Sequence, residues 1–375
     1  MDSPWFSLLF GRSSESLREI SPSDFVGLVR PKCKQIITEK DLLNLFTKKK
    51  KLKVKFGIDA TGAEIHLGHA VPLILLRLFQ RRGDEIHFVI GDFTARIGDP
   101  SGRTEKRKEL TDAQVSQNMK SYALQIAPLI DLKKTKVHKN SLWLAKMPLA
   151  EFLKVLGAIS FGSVAQREDF RERIKAENPV SLREANYASL MAIDSLHLKI
   201  DIEVGGVDQL LNFMQTRDVM SSSGETPEVI AVTPMIEGTA GDGRKMSKSF
   251  GNYIALAAPA GQQFGLIMSI PDHLIKSYFV SFGDIFEKEV PELETYIKKQ
   301  PLEAKKQLGM LIVALVHGEK MAFGAREEFE RKFAKREYVE ADEARIEINL
   351  PINIVDGIFG ALGGELSKSR IGRLI

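Results

Sequence analysis

The chain has 375 residues, of which 43% are hydrophobic, and this length provides enough apolar material for two or three domains. Its formal net charge of +4 at pH 7 permits a nucleic-acid partner but does not require one. A single cysteine, Cys33, excludes an intramolecular disulfide and a cysteine-based zinc site, which suits a cytoplasmic protein, and no apolar run predicts a membrane span.

The first 50 residues predict a polar, partly helical lead-in, in which Thr38 is a candidate helix N-cap. The run KVKFGIDA, residues 53–60, predicts a strand. The segment HLGHAVPLILLRLFQRRG, residues 66–83, has the apolar spacing of a helix, and EIHFVIGD, residues 85–92, predicts a second strand. A strand, a helix and a strand in this order predict a βαβ unit and therefore a parallel sheet.

A polar loop follows, and residues from about 112 to 200 are mostly helical in pattern, which we interpret as a large insertion. The next segments predict a strand, a helix, a strand and a Gly-rich loop, namely IDIEVGG (200–206), VDQLLNFMQTRDVM (207–220), EVIAVTPMI (228–236) and EGTAGDGRKMSKSFGN (237–252). After about residue 260 the pattern is helical again.

The stretch KFGIDATGAEIHLGHA, residues 55–70, places His66 and His69 three positions apart at the predicted start of a helix. Three interpretations are open for these histidines: polar residues at a helix start, one half of a metal site, or a pair that binds phosphate. A zinc site needs further ligands, and no cysteine pair supplies them. A helix N-terminus attracts phosphate, and Gly68 leaves room for a nucleotide near the backbone. Neither a P-loop nor a G-x-G-x-x-G fingerprint is present.

A second motif, KMSKS, occupies residues 245–249 within the Gly-rich loop. One interpretation is a solvated basic loop. The other is a mobile loop whose two lysines, Lys245 and Lys248, cover a triphosphate and stabilise the charge that develops as pyrophosphate leaves.

Taken together, the two motifs resemble the paired signatures of class I aminoacyl-tRNA synthetases, because one opens the first helix of the βαβ unit and the other follows the last strand. Over roughly residues 35–375 the chain is similar to bacterial tyrosyl-tRNA synthetases. The stretches that carry this resemblance are FGIDATGAEIHLGHAVPL, GDFTARIGDPSGR, YASLMAIDS, VGGVDQLLN and MIEGTAGDGRKMSKSFGNYI.

The resemblance implies an α/β fold, with a Rossmann-like parallel-sheet catalytic domain that carries a helical insertion and is followed by an α-helical domain. It implies activation of tyrosine by ATP, transfer to tRNA(Tyr), and a homodimer built through the insertion, with no membrane or DNA partner. The expected domains are a lead-in (1–50), the catalytic domain (51–255, with the insertion at about 112–200), a helical domain (256–340), and a linker with a shortened S4-like RNA-binding domain (341–375).

The resemblance also implies roles for individual residues. Those expected to act on the phosphates are His66, His69, Lys245, Lys248, Thr61, Arg103 and Arg107. Those expected to bind ATP are Gly68, His69, Asp208, Met246 and Lys248. Those expected around the amino acid are Asp59, Asp99, Tyr187, Met191, Asp194 and Gln209, with Asp194 accepting from the phenol hydroxyl and Asp99 and Tyr187 holding the ammonium. Magnesium would arrive with ATP, and no protein metal site is expected.

Structural interpretations remain for some of these residues: Tyr187 and Asp194 as a bonded pair on one helix face, Arg103 and Arg107 as part of a solvated charged run, and Thr61 as a turn residue. The chain also departs from the family pattern. Lys55 stands where many members have a tyrosine, and Met191 stands where glutamine is usual. An alternative function is therefore an amino-acid-activating enzyme with a different amino acid or a non-tRNA acceptor.

Overall fold

The computed structural model describes residues 4–60, 64–101, 111–334 and 355, and it divides into two compact units, Met1–Arg326 and Glu327–Ile375. The first unit is organised around one six-stranded sheet. The strands are β1 (Gln35–Ile37), β2 (Lys53–Asp59), β3 (Glu85–Gly91), β4 (Thr135–Lys139), β5 (Ile202–Gly206) and β6 (Val229–Thr233).

The strand order across the sheet is β1-β6-β5-β2-β3-β4, and all neighbouring strands are parallel except the pair β1 and β6. The predicted parallel sheet is confirmed. The chain runs from β2 outward to β4 and then returns to the other side of β2 to place β5. This reversal is a topological switch point, where open α/β sheets bind ligands at the carboxyl ends of their strands.

Helices are the other main elements among the described residues. They are α1 (Pro4–Ser14), α2 (Pro22–Val29), α3 (Glu39–Lys48), α4 (Leu67–Arg82), α5 (Asp112–Ile126), α6 (Ser141–Leu144), α7 (Leu149–Gly157), α8 (Phe161–Ala165), α9 (Glu168–Lys175), α10 (Leu182–Ala185), α11 (Tyr187–Leu198), α12 (Leu210–Ser222), α13 (Ala260–Met268), α14 (Ile275–Phe282), α15 (Val290–Lys299), α16 (Pro301–His317) and α17 (Glu319–Phe329). Within the described residues, no helix has both the length and the apolar character needed to cross a bilayer.

Two predicted helix starts match the structure. The Thr38 side chain accepts a hydrogen bond from the Asp41 backbone N–H at 3.1 Å and caps α3. His66 caps α4, which ends at Gly83, where a φ of 95° favours a residue without Cβ. The predicted strands at the centre of the sheet also match, and each carries a run of buried, mostly apolar residues.

The lead-in and the insertion differ from expectation. The lead-in is not simply polar, since Phe6 and Leu9 of α1 are buried and the Phe6 N–H donates to the Gln307 side chain at 3.2 Å. The segment predicted as a helical insertion also contains β4, which pairs with β3 at the edge of the sheet. Lysines and exposed positions in β4 hide the apolar alternation that marks a strand.

Candidate functional site

A cavity of about 390 Å³ opens at the switch point, outside the carboxyl ends of β2, β3, β5 and β6. Between β2 and β5 only two residue pairs are in register, Val54 with Ile202 and Lys55 with Glu203. Beyond that rung the two strands no longer pair, and the cavity occupies the space between them. This position agrees with the general rule for ligand sites in open α/β sheets.

The start of α4 brings the two signature histidines together at the mouth of the cavity. Their ring centroids are 3.9 Å apart, the His66 Nδ1 accepts from the Gly68 N–H at 3.2 Å, and the His69 Nδ1 accepts from the His66 N–H at 3.4 Å. Burial lowers the pKa of both rings, to about 3 for His66 and about 4 for His69, and the Lys248 charge adds to the effect.

Two consequences follow for these imidazoles. Both are neutral at pH 7, because their pKa values lie well below it. Since each Nδ1 already accepts from a backbone N–H, each proton is carried on Nε2. The pair is therefore two Nε2–H donors at the N-terminus of α4, whose positive dipole end favours an anion.

The KMSKS loop lies against this helix start. The Leu67 N–H donates to the Ile254 carbonyl at 2.9 Å, and the buried Met246 has its Cβ 3.6 Å from the place where a Cβ on Gly68 would lie. The Lys248 Nζ donates to the Glu64 carbonyl at 2.6 Å, and Lys245 lines the cavity with its side chain exposed. The structure thus brings the two signatures to one place.

At the closed end of the cavity, Asp194 is 5% exposed and accepts from two side chains. Its Oδ1 accepts from the Trp143 Nε1 at 2.8 Å and its Oδ2 from the Asn140 Nδ2 at 3.3 Å. Burial raises the pKa of Asp194 to about 6, against the opposing effects of Lys55 and these two donors. Each carboxylate oxygen retains a lone pair for a further donor.

Asp59 and Tyr187 form a second polar group on the cavity wall. The Tyr187 hydroxyl donates to the Asp59 Oδ2 at 3.2 Å, and the Thr94 hydroxyl donates to its Oδ1 at 2.7 Å. Burial first, and then Asp59, raise the pKa of Tyr187 well above its usual value, so the phenol keeps its proton. A Cβ on Gly91 would lie 2.1 Å from the Asp59 Oδ1, so this approach requires glycine.

A third group surrounds Asp99. The Ser101 N–H donates to its Oδ1 at 3.0 Å and the Gln209 Nε2 donates to its Oδ2 at 2.7 Å. Met191 lines the same cavity and packs against an apolar cluster made of Phe213, Ile230 and Val232. The neighbouring Asp208 is exposed and lies at the carboxyl end of β5. A methionine thioether at this wall is a weak acceptor, so it adds little to the binding of a cation.

Lys55 departs from the family pattern, but its surroundings were not predicted from the sequence. Lys55 is 1% exposed, its Nζ lies 2.9 Å from the Glu203 Oε1, and it donates to the Ser195 hydroxyl at 2.6 Å. Burial alone would lower the pKa of Lys55, but the carboxylates around it, Glu203 first, raise it. Burial raises the pKa of Glu228 well above its usual value, and the adjacent Glu203 adds to this. Lys55 and Glu203 form a buried ion pair.

The structure brings most predicted site residues into one cavity. Those that line it are Asp59, His66, Gly68, His69, Asp99, Tyr187, Met191, Asp194, Asp208, Gln209, Lys245 and Met246, while Lys248 lies beside it. Thr61, Arg103 and Arg107 lie outside the described residues. Asn140, Trp143 and Thr94 were not predicted. Asn140 and Trp143 lie in the segment NSLW, which directly follows β4, and polar residues directly after a strand of the sheet are candidates for a site. Because β4 itself was not predicted, this signal was not used.

Comparisons with known proteins agree with this geometry. Residues 47–334 match the family described as tRNA synthetases class I (W and Y). The chain is 38% identical over 360 residues to the tyrosine–tRNA ligase of Thermotoga maritima, covering 95% of this chain and 89% of the relative. It is 36% identical over 357 residues to that of Aquifex aeolicus, covering 95% and 90%.

Solved structures show the same fold. A C-terminally truncated mitochondrial tyrosyl-tRNA synthetase of Aspergillus nidulans matches with a TM-score of 0.70 at 21% identity, over 88% of this chain and 99% of that one. The tyrosyl-tRNA synthetase of Archaeoglobus fulgidus, solved with L-tyrosine, matches with a TM-score of 0.65 at 24% identity, over 82% and 100%.

Proposed function

The chain belongs to the bacterial tyrosyl-tRNA synthetases of the class I W and Y family, and on this basis we propose that it activates tyrosine with ATP and transfers it to tRNA(Tyr). The observation that carries the proposal is one cavity with two functional ends. Paired neutral imidazoles stand at its mouth, and the buried carboxylate of Asp194 stands at its closed end.

Activation needs no general base, because the substrate carboxylate is itself the nucleophile that attacks the α-phosphorus of ATP and releases pyrophosphate. The protein contributes positioning and charge stabilisation. The Nε2–H groups of His66 and His69 donate to the α-phosphate as its negative charge grows, and Lys245 and Lys248 stabilise the departing pyrophosphate. Magnesium enters with ATP, and no group of three possible metal ligands occurs among the described side chains.

Asp194 selects tyrosine through its phenol. The tyrosine hydroxyl donates to the Asp194 carboxylate, which Trp143 and Asn140 orient. Phenylalanine has no hydroxyl, so its binding leaves this buried carboxylate without that donor. Discrimination of this kind reaches about 10⁴- to 10⁵-fold. Asp99 and Tyr187 hold the substrate ammonium at the adjoining wall. The reaction belongs in the bacterial cytoplasm, where the lone Cys33 stays reduced.

The experiment that tests the proposal is ATP–pyrophosphate exchange with each amino acid, followed by charging of unfractionated tRNA. We expect exchange to be fastest with tyrosine and tRNA(Tyr) to be charged. Faster exchange with another amino acid would overturn the assignment of the substrate. Exchange with tyrosine but no charging of tRNA would favour the alternative, an activating enzyme with a different acceptor.

We expect Met191→Gln to lower the tyrosine KM about fivefold, because a side-chain carbonyl oxygen would accept from the substrate ammonium and add about 1 kcal/mol. Exchange kinetics at saturating ATP measure this. Met191→Leu is the control, since leucine keeps the apolar contact with Phe213 and adds no acceptor. An unchanged KM in Met191→Gln would contradict the role given to this wall.

We also propose a homodimer, and exposed apolar side chains of the insertion support it. Those more than half exposed include Leu142, Leu149, Leu153, Phe161, Ile174 and Leu182. A concentration of this kind on α6–α10 is typical of an association surface.

We expect Phe161→Asp to weaken the dimer about 30-fold or more, the effect of losing a 2 kcal/mol interface anchor. Sedimentation across a concentration series measures it. The control is Leu302→Asp, which alters a leucine of α16 that is also more than half exposed but lies outside the insertion. Equal dissociation in both variants, or a monomeric unsubstituted protein, would contradict the assigned surface.

A further inference from the structure

We propose that Arg167, which belongs to the insertion, is a positioning residue that holds Asp99 in the orientation that binds the substrate ammonium. The inference rests on the proposed function, because it takes Asp99 as the ammonium ligand. Arg167 itself does not line the cavity and acts through the side chains between it and Asp99.

Two residues hydrogen-bond to the Asp99 carboxylate, one at each oxygen, and a third residue links these two to each other. The Ser101 N–H bonds to one carboxylate oxygen and the Gln209 Nε2 to the other. Asn212, which is fully buried, ties these two groups together: its Nδ2 donates to the Gln209 Oε1 at 2.8 Å and lies 3.3 Å from the Ser101 hydroxyl. The orientation of the Asp99 carboxylate is therefore set by the position of Asn212.

Arg167 holds Asn212 in this position. Its Nη1 donates to the Asn212 Oδ1 at 2.6 Å, and its Nη2 lies 3.2 Å from the Ser101 hydroxyl. The guanidinium is 5% exposed, pairs with Asp169 at 3.0 Å, and packs over the Phe170 ring at 5.2 Å. Because Asn212 can place its amide either way round, the bond from Arg167 to its oxygen is what aims the NH₂ group at Gln209.

The presence of Met191 in this cavity makes the hydrogen bonds around Asp99 more important for binding the ammonium. Met191 cannot hold an ammonium with a hydrogen bond of useful strength, so Asp99 carries much of that contact. The charge of Arg167 is balanced by Asp169, so its effect on the ligand is geometric rather than a long-range attraction or repulsion. Loss of Arg167 frees Asn212 to turn, and Gln209 and Ser101 then hold Asp99 less firmly.

The test compares ligands that carry the ammonium with one that lacks it. We measure the dissociation constants of tyrosine, tyramine and 3-(4-hydroxyphenyl)propionate for the full chain and for Arg167→Met. We expect about tenfold weaker binding of tyrosine and tyramine, which carry the ammonium, and less than a twofold change for the propionate. Equal losses for all three ligands, or no loss, would overturn the proposal.

A matched control is Arg173→Met on α9. Arg173 is equally buried and pairs with Glu184 at 2.7 Å, but it has no bond to the groups around Asp99. We expect no ligand-dependent change there. Arg167→Lys keeps the charge beside Asp169 and serves where the methionine variant folds poorly. It cannot reach both Asn212 and Ser101 as a planar fork does, and we expect an intermediate loss.

A double-mutant cycle separates positioning from general packing. In an Asp99→Asn background, Arg167→Met should no longer change the ratio of tyrosine to propionate affinity, and a further loss in that ratio would contradict the proposed route. Failure of the proposed function looks different. If another amino acid proves to be the substrate, that amino acid and its deamino analogue replace the tyrosine pair, and the same ratio is measured.

Discussion

His69→Ala is expected to lower the rate of adenylate formation by about 10²- to 10³-fold, about 2.7 to 4 kcal/mol, while tyrosine affinity changes little. The imidazole is neutral, its Nδ1 is occupied by the His66 N–H, and its Nε2–H is free to donate. A donor placed at the mouth of the cavity acts on phosphate charge that develops only in the transition state. Its loss therefore appears in the rate rather than in ground-state binding.

Single-turnover formation of the adenylate, together with equilibrium binding of tyrosine, measures the two quantities separately. Lys245→Ala should behave in the same way, because its side chain also faces the cavity. His317→Ala is the control, since this histidine lies at the end of α16 and does not line the cavity. If His69→Ala raised only the tyrosine KM, the assignment of this residue to the α-phosphate would be wrong.

Lys55→Met is expected to lower the free energy of unfolding by about 3 to 5 kcal/mol, since it leaves the Glu203 carboxylate buried without its cation. The Lys55 and Glu203 side chains are 1% and 2% exposed, and the adjacent Glu228 is also buried. Because the Glu203 side chain is buried, the loss of Lys55 leaves a desolvated carboxylate without its counter-ion, which costs more than one hydrogen bond.

Denaturant unfolding of Lys55→Met and of Lys55→Met/Glu203→Gln measures this effect. The double variant should recover most of the loss, because both charges are then absent. Lys49→Met is the matched control: Lys49 pairs with Asp201, but its side chain is 51% exposed, and surface pairs of this kind contribute about 0 to 1 kcal/mol. Equal destabilisation by Lys49→Met and Lys55→Met would contradict the importance of burial.

The sequence predicted those parts of the fold that have a strong local pattern. The strands β2, β3, β5 and β6 carry buried runs that are mostly apolar, and α4 has helical spacing between a cap and a glycine. The edge strands β1 and β4 were missed, because β1 has three residues and β4 is lysine-rich with exposed positions. An edge strand covers little core and needs little apolar alternation.

The position of the site was predictable where sequence motifs mark it, at His66, His69 and Lys245 in the two signatures and at Asp194 in the stretch YASLMAIDS. Groups that act through pairing across the fold were not. Trp143 and Asn140 reach Asp194 across about fifty positions of chain, and Arg167 reaches Asn212 across 45. Residue spacing carries no information on such contacts. One signal was available at Lys55, because a lysine inside an otherwise buried strand needs an anionic partner.

The short pairing between β2 and β5, only two residue pairs long, has a consequence for the growing chain on the ribosome. Neighbouring positions on these strands, Lys53 and Asp201, are 148 residues apart, so β5 emerges about 7 to 30 s after β2 at ordinary rates of synthesis. During that interval one edge of β2 has no partner. Lysines at 51, 53 and 55 place charge along this edge, and charged edges resist pairing with other nascent strands. Lys55, which pairs with Glu203 in the folded sheet, is thus also one of the lysines that we expect to protect the unpaired edge of β2 from aggregation during synthesis.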